Sequence, residues 1–223
     1  MMAKGHFISG VAAGLLTSPL AVELAPVGIG GPARVLALAG VWSFVTGVGA
    51  LWPDIDHKPA LISKLLWITG IGWLMRVASR FTYQATRTER DRPTGCHRTL
   101  THTIPFVALT GAGVGALLLI SPSTAPWAWF FGVALAIGTL MHIFGDALTL
   151  TGVPLYWPLL DHHGRRWGTR GVPRWMRFRA GGKYGEPAAT FAFTGLAMAV
   201  GALVLAADGA PWWVPVMALL EGR

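Results

Sequence analysis

The sequence predicts an all-α, multi-spanning membrane protein with about four to five transmembrane helices and one interfacial helix, and three observations support this. Of the 223 residues, 53% are hydrophobic and 13% charged, whereas a soluble domain carries about 25% charged residues. Four stretches, 35–52, 103–120, 126–145 and 188–207, are apolar over nearly the length of about 20 residues that crosses a bilayer. Lysine and arginine then fall almost wholly on one side of the layout those stretches define.

Taken in order, segment 5–20 is shorter than the others and carries His6 and Pro19. It crosses, dips part way, or acts as a signal peptide behind Lys4; no clear small-x-small cleavage site follows it, which favours retention. Segment 35–52 is a full span stopped by Pro53. Segment 60–80 is apolar but interrupted by Lys64 and Arg76. It is expected to lie in the interface, with Trp67 and Trp73 as anchors and the two cations snorkelling to headgroups. The remaining spans alternate in direction, and Trp127, Trp129, Trp212 and Trp213 mark the outer boundary. No repeat or linker divides the chain, so residues 1–223 form one domain.

With 5–20 running outward and 35–52 returning, Lys4, Lys58, Lys64, Arg76, Arg80, Arg87, Arg90, Arg92, Arg98 and the basic stretch 165–183 share one side. Arg34 and Arg223 face the other. The positive-inside rule makes the basic side cytoplasmic, so the formal net charge of +8 reads as membrane topology. Nucleic acid is not an expected partner, because no binding motif accompanies the charge. The single cysteine, Cys96, excludes an intramolecular disulfide and a thiolate zinc site, leaving histidine and carboxylate as the available metal ligands.

The same topology gathers ionisable residues from four pieces of sequence at the cytoplasmic ends of the spans. They are His6, then Asp54, Asp56 and His57 in PDIDH, His97 and His102 in HRTLTH, and His142 and Asp146 in HIFGD. His142 and Asp146 are four apart and share one helix face, a spacing that lets both grip one ion. Pro53 leaves Asp54 and Asp56 on irregular backbone, where alternate side chains can turn toward a cation. His97 and His102 are five apart and need a turn between them, which Thr99 or Thr101 as N-cap would supply. Other readings exist: a boundary histidine is often an interfacial residue, PDIDH alone is a turn, and Arg98 or Lys58 would neutralise an aspartate by salt bridging. Boundary Asp and His are nevertheless costly unless paired, functional or metal-bound.

Asp161, His162 and His163 lie in a polar, arginine-rich loop and read by default as solvated. The stretch 165–183 interleaves Trp167, Trp175, Met176 and Phe178 with arginine, a pattern that suits anionic lipid headgroups as well as ordinary positive-inside charge.

With these residues in view, the chain resembles the YdjM-type family of inner-membrane-associated metal-dependent hydrolases, whose activity is assigned by motif. The resemblance covers nearly the whole length through KGHFISG, PDIDH, HRTLTHT and HIFGDALTLTGVPLYWP. The spacing from His142 to Asp146 is also similar to part of the ligand pattern in zinc-dependent phospholipase C. The arginine-rich stretch after Trp157 has no residue-by-residue counterpart. The resemblance implies hydrolysis, here of a phosphoester or ester in a lipid or other membrane-accessible small molecule. A bound cation would make the nucleophile from water without a protein nucleophile. The expected ligands are His6, Asp54, His97, His102, His142 and Asp146. Asp56 or His57 would be a further ligand or the general base, and Arg98 a clamp for an anionic transition state. Zinc suits these donors best, manganese and magnesium remain open, and one or two ions would use the set. A non-enzymatic metal-binding or ion-handling protein would use the same residues, and a purely structural helix lock is the third reading.

Overall fold

The computed structural model of the chain describes residues 2–27, 32–57, 60–66, 69–86, 98, 100–157, 159 and 172–207. Among these residues the secondary structure is helical, apart from an isolated bridge between Thr149 and Phe178. The helices are α1 (Ala3–Leu16), α2 (Ser18–Leu24), α3 (Pro32–Gly49), α4 (Leu61–Leu65), α5 (Ile71–Thr86), α6 (Ile104–Leu119), α7 (Ala128–Ala147) and α8 (Gly185–Ala207). Helix α7 is the hub: it packs against α1, α3 and α6, while α1 also lies against α3 and α8.

Two stretches of helix, Ala33–Asp56 and Ala125–Ala147, are long and apolar enough to cross a membrane. The pair α1 and α2 makes a third if counted as one span, although it is bent by 62°. Pro19 explains that break, since its ring clashes with the carbonyl four residues back and it lacks the N–H that would continue the ladder. Thr17 fixes the corner, donating to the Ala13 carbonyl at 2.8 Å and accepting from Trp42 Nε1 at 2.9 Å. The spans expected at 103–120 and 188–207 coincide with α6 and α8. Helix α6, at 16 residues, is short for a crossing.

The segment expected in the interface at 60–80 holds two described helices and not one, α4 and α5, with Gly70 at φ +74° just before α5. Helix α5 is strongly amphipathic and leaves Trp73, Leu74, Val77 and Phe81 exposed. Arg76, expected to snorkel outward, instead turns inward: its Nε reaches the Asp56 carbonyl at 3.4 Å and its Nη2 the Ser63 hydroxyl at 3.5 Å. Trp67 and Lys58 lie outside the described residues. In the basic stretch, Trp175 and Met176 are exposed as expected, but Phe178 is buried against Leu148. Backbone hydrogen bonds from Leu150 N to Phe178 O (3.1 Å) and from Phe178 N to Leu148 O (3.4 Å) hold it there.

Close helix crossings make the centre of the bundle. A Cβ on Gly10 of α1 would stand 2.5 Å from Ala50 Cβ and 2.8 Å from the Thr46 carbonyl oxygen. A Cβ on Gly138 of α7 would overlap the same carbonyl from the other side. Only glycine lets these backbones approach so closely, and each glycine lies one helical turn from a histidine at the inner end, His6 or His142. The other end is a dry cluster of Ala21, Leu38, Trp42, Phe130 and Ala134. An apolar groove of about 490 Å³ beside Arg34 and Trp127 lies there, away from the histidines.

Candidate metal centre

Four elements deliver the polar residues at the inner end. His6 sits in the first turns of α1. Asp54 lies in a 3-10 turn, Trp52–Asp56, which follows α3 because Pro53 interrupts the helical ladder. His102 closes a second 3-10 turn, Leu100–His102, immediately before α6. His142 and Asp146 are adjacent on one face of α7. The N-cap of α6 is Thr103, whose hydroxyl accepts from Phe106 N at 3.3 Å, and not Thr99 or Thr101. Thr101 is committed to other partners, described below.

His6, His102, His142 and Asp146 are at most 1% exposed, while Asp54 retains 17%. His142 Nε2 lies 3.2 Å from His102 Nε2, 3.6 Å from Asp54 Oδ1 and 3.8 Å from Asp146 Oδ2. His102 Nε2 is 3.5 Å from Asp146 Oδ2 and 4.0 Å from Asp54 Oδ1, and His6 Nε2 is 3.4 Å from Asp146 Oδ1. The His6 and His142 rings stack with centroids 3.6 Å apart. Two groups of donor atoms could hold a metal ion: His6, His142 and Asp146, and Asp54, His102 and His142.

The donor set fits a divalent cation on two counts. Ligand distances of about 2.0–2.2 Å put neighbouring donors of a tetrahedral site about 3.3–3.6 Å apart; three of the six separations fall in that range and the others lie between 3.2 and 4.0 Å. The Nδ1 nitrogen of His6 is buried without a hydrogen-bond partner and its Nε2 has only the 3.4 Å approach of Asp146 Oδ1, a costly state for a buried polar ring that a bound ion would relieve.

The surroundings orient the ligands. His142 Nδ1 donates to the Ala50 carbonyl at 2.7 Å, which turns Nε2 inward. The Thr101 hydroxyl donates to Asp56 Oδ2 at 3.4 Å and contacts His102 Nδ1 at 2.9 Å. Arg98 Nε donates to Asp146 Oδ2 at 2.8 Å, and its Nη1 reaches the Thr149 hydroxyl at 3.2 Å and the Thr151 hydroxyl. Arg98 adopts φ +63°, a left-handed conformation unusual for a non-glycine residue, and holding its guanidinium against Asp146 is what that strained backbone achieves.

Of the residues singled out from the sequence, the structure thus brings together His6, Asp54, His102, His142 and Asp146, with Arg98 alongside and Asp56 one hydrogen bond further out. His57 is exposed at the end of its turn and belongs to neither donor group. His97, Asp161, His162 and His163 lie outside the described residues. Thr101 and the Ala50 carbonyl were missed. The first sits in a visible polar run, LTHT, whereas a backbone carbonyl leaves no mark on a sequence.

Residues 1–219 match the family described as YdjM inner membrane protein. The chain belongs to that family. Its relatives include the inner membrane protein YdjM of Escherichia coli (strain K12) and that of Shigella flexneri, each 30% identical over 165 residues. Those residues make up 71% of this chain and 66% of each relative, so the match spans about two thirds of the relatives' length. No solved structure matches. Family membership and the long apolar helices make this YdjM-family chain an inner membrane protein.

Proposed function

We propose that this YdjM-family protein is a metal-dependent hydrolase that cleaves a phosphoester or ester of a lipid or other membrane-accessible substrate at the cytoplasmic face. The observation that supports it is the buried convergence of three imidazoles and two carboxylates beside the Arg98 guanidinium. A divalent cation held by His6, Asp54, His102, His142 and Asp146 supplies a Lewis acid and lowers the pKa of its water toward about 7. The histidine share favours zinc, and the carboxylates admit manganese or magnesium.

The chain's own residues divide the remaining work. Asp54 is the most exposed of the described ligands and stands where a substrate enters. Arg98 places a fixed positive charge beside the centre, which favours an anionic group on the substrate. Asp56 acts through Thr101 on His102 and is a positioning residue. Helix α5 packs through Arg76 against the turn bearing Asp54 and leaves its apolar stripe exposed, which suits a substrate drawn from the leaflet, and the basic stretch near residue 174 suits anionic headgroups.

The test is metal content and turnover measured together on purified wild type, His142→Ala and Asp146→Ala, against lipid and phosphodiester panels with and without chelator. Stoichiometric metal and chelator-sensitive hydrolysis in the wild type, both lost in the variants, is the expected outcome. Metal without turnover on any panel would overturn the hydrolase reading in favour of a non-enzymatic metal-binding protein. The near-complete burial of four of the five described ligands is the observation that keeps this second reading in view.

A further inference from the structure

We infer that the two donor groups are one binding site for a single divalent cation and not the two halves of a dinuclear centre; the inference rests on the metal-site reading above. Both groups require His142. An imidazole has two nitrogens, and Nδ1 of His142 lies 2.7 Å from the Ala50 carbonyl oxygen. A carbonyl can only accept, so Nδ1 carries the proton and Nε2 alone has a lone pair. One lone pair serves one ion. In two-metal sites the ions stand about 3.5–4 Å apart. Ligands shared between them are groups such as carboxylates, with two oxygens to offer; a neutral imidazole bonded through one nitrogen is not such a group. With two ions bound, one group would therefore keep only two of its three donors, fewer than the three protein ligands usual at an open zinc site.

His102 points to the same conclusion. The Asp56 carboxylate can only accept, so the Thr101 proton goes to Asp56, and Thr101 oxygen accepts from His102 Nδ1. The Nε2 atoms of His102 and His142 thus face each other at 3.2 Å with a lone pair each, a repulsive arrangement that a cation between them relieves. The carboxylates tie the two groups together as well: each of these nitrogens approaches both Asp54 Oδ1 and Asp146 Oδ2 within 4.0 Å, although Asp54 is counted in one group and Asp146 in the other, as donors around one ion do. Charge agrees with geometry. Asp54, Asp146 and the buried Asp56 behind Thr101 bring three negative charges and Arg98 one positive, so one dication balances them, and a second would be buried without a counter-charge among these residues.

The full-length protein in detergent is loaded with Mn²⁺, then analysed for metal per chain and by electron paramagnetic resonance. A single Mn²⁺ per chain with the hyperfine pattern of an isolated ion is the expected result. Two Mn²⁺ per chain with an exchange-coupled spectrum would overturn the inference while keeping the metal reading, whereas a wild type that retains no stoichiometric metal would remove both. His6→Ala and Asp54→Asn, checked for helical content, each report on one group. Weakening of the same single ion by both is expected, and a variant that drops from two equivalents to one would again decide for a dinuclear centre.

Discussion

Thr101 is a small residue with a large share in the geometry of the centre, because its one hydroxyl joins a buried carboxylate to a ligand imidazole. Thr101→Val keeps the volume and removes the link. Metal affinity should fall about 10–100-fold, the usual cost of losing an outer partner of a ligand histidine; competition against a chromophoric chelator measures it, and unchanged affinity would show that His102 needs no such support. The residues of the centre differ in how far the sequence reveals them. His142 and Asp146 are legible because helical periodicity alone puts positions four apart on one face. Asp54 is legible because Pro53, coming after a long apolar run, interrupts the helical ladder there. Arg98 was read both as a clamp for an anionic transition state and as a partner that neutralises an aspartate; it pairs with Asp146, on a left-handed backbone that no residue pattern announces. Thr101 reads in sequence as a helix cap, and the cap turns out to be Thr103, two positions on.

Among the elements, α5 makes the most direct claim about the membrane. Trp73, Leu74, Val77 and Phe81 form an exposed apolar stripe, with Phe81 71% exposed, while Arg76 on the same helix faces the protein. A nitroxide on Phe81→Cys in a Cys96→Ser background, reconstituted in vesicles, should be more accessible to oxygen than to a water-soluble nickel complex; the reverse order would place α5 in the aqueous phase. The interruption of segment 60–80 by Lys64 and Arg76 left it ambiguous, and only the one-sided charge of its neighbours favoured an interfacial helix over a crossing one. The break at Gly70 and the inward turn of Arg76 depend on neighbouring elements and were not legible. Phe178 illustrates the same limit: among arginines it reads as a surface residue, and only the backbone bridge to residues 148–150 shows why it is buried.

For the whole molecule, the centre exists because α1, α3 and α7 approach one another more closely than ordinary side chains allow. Gly138→Leu must push α7 away from the Thr46 carbonyl, and overpacking of this kind costs about 1–3 kcal/mol or more. Thermal denaturation should show the loss of stability, and metal content should fall with it although no ligand has been changed; a variant of normal stability and full metal content would mean that the crossing is looser than it looks. Convergence of the ends of α1, α3 and α7 was readable from span directions and the one-sided charge, but the closeness of the crossings was not, since glycine is frequent throughout the chain. The Glu186 carboxylate at the start of α8 accepts from the backbone N–H groups of Met2 (2.5 Å) and Gly181 (2.7 Å). This strap joins positions 184 residues apart, so the start of the helix bearing the first histidine gains this anchor only after residue 186 has been synthesised. A nascent chain arrested before residue 186 would already have α3 and α7 against which to lay its first donor helix, yet would still lack the clasp at that helix's beginning.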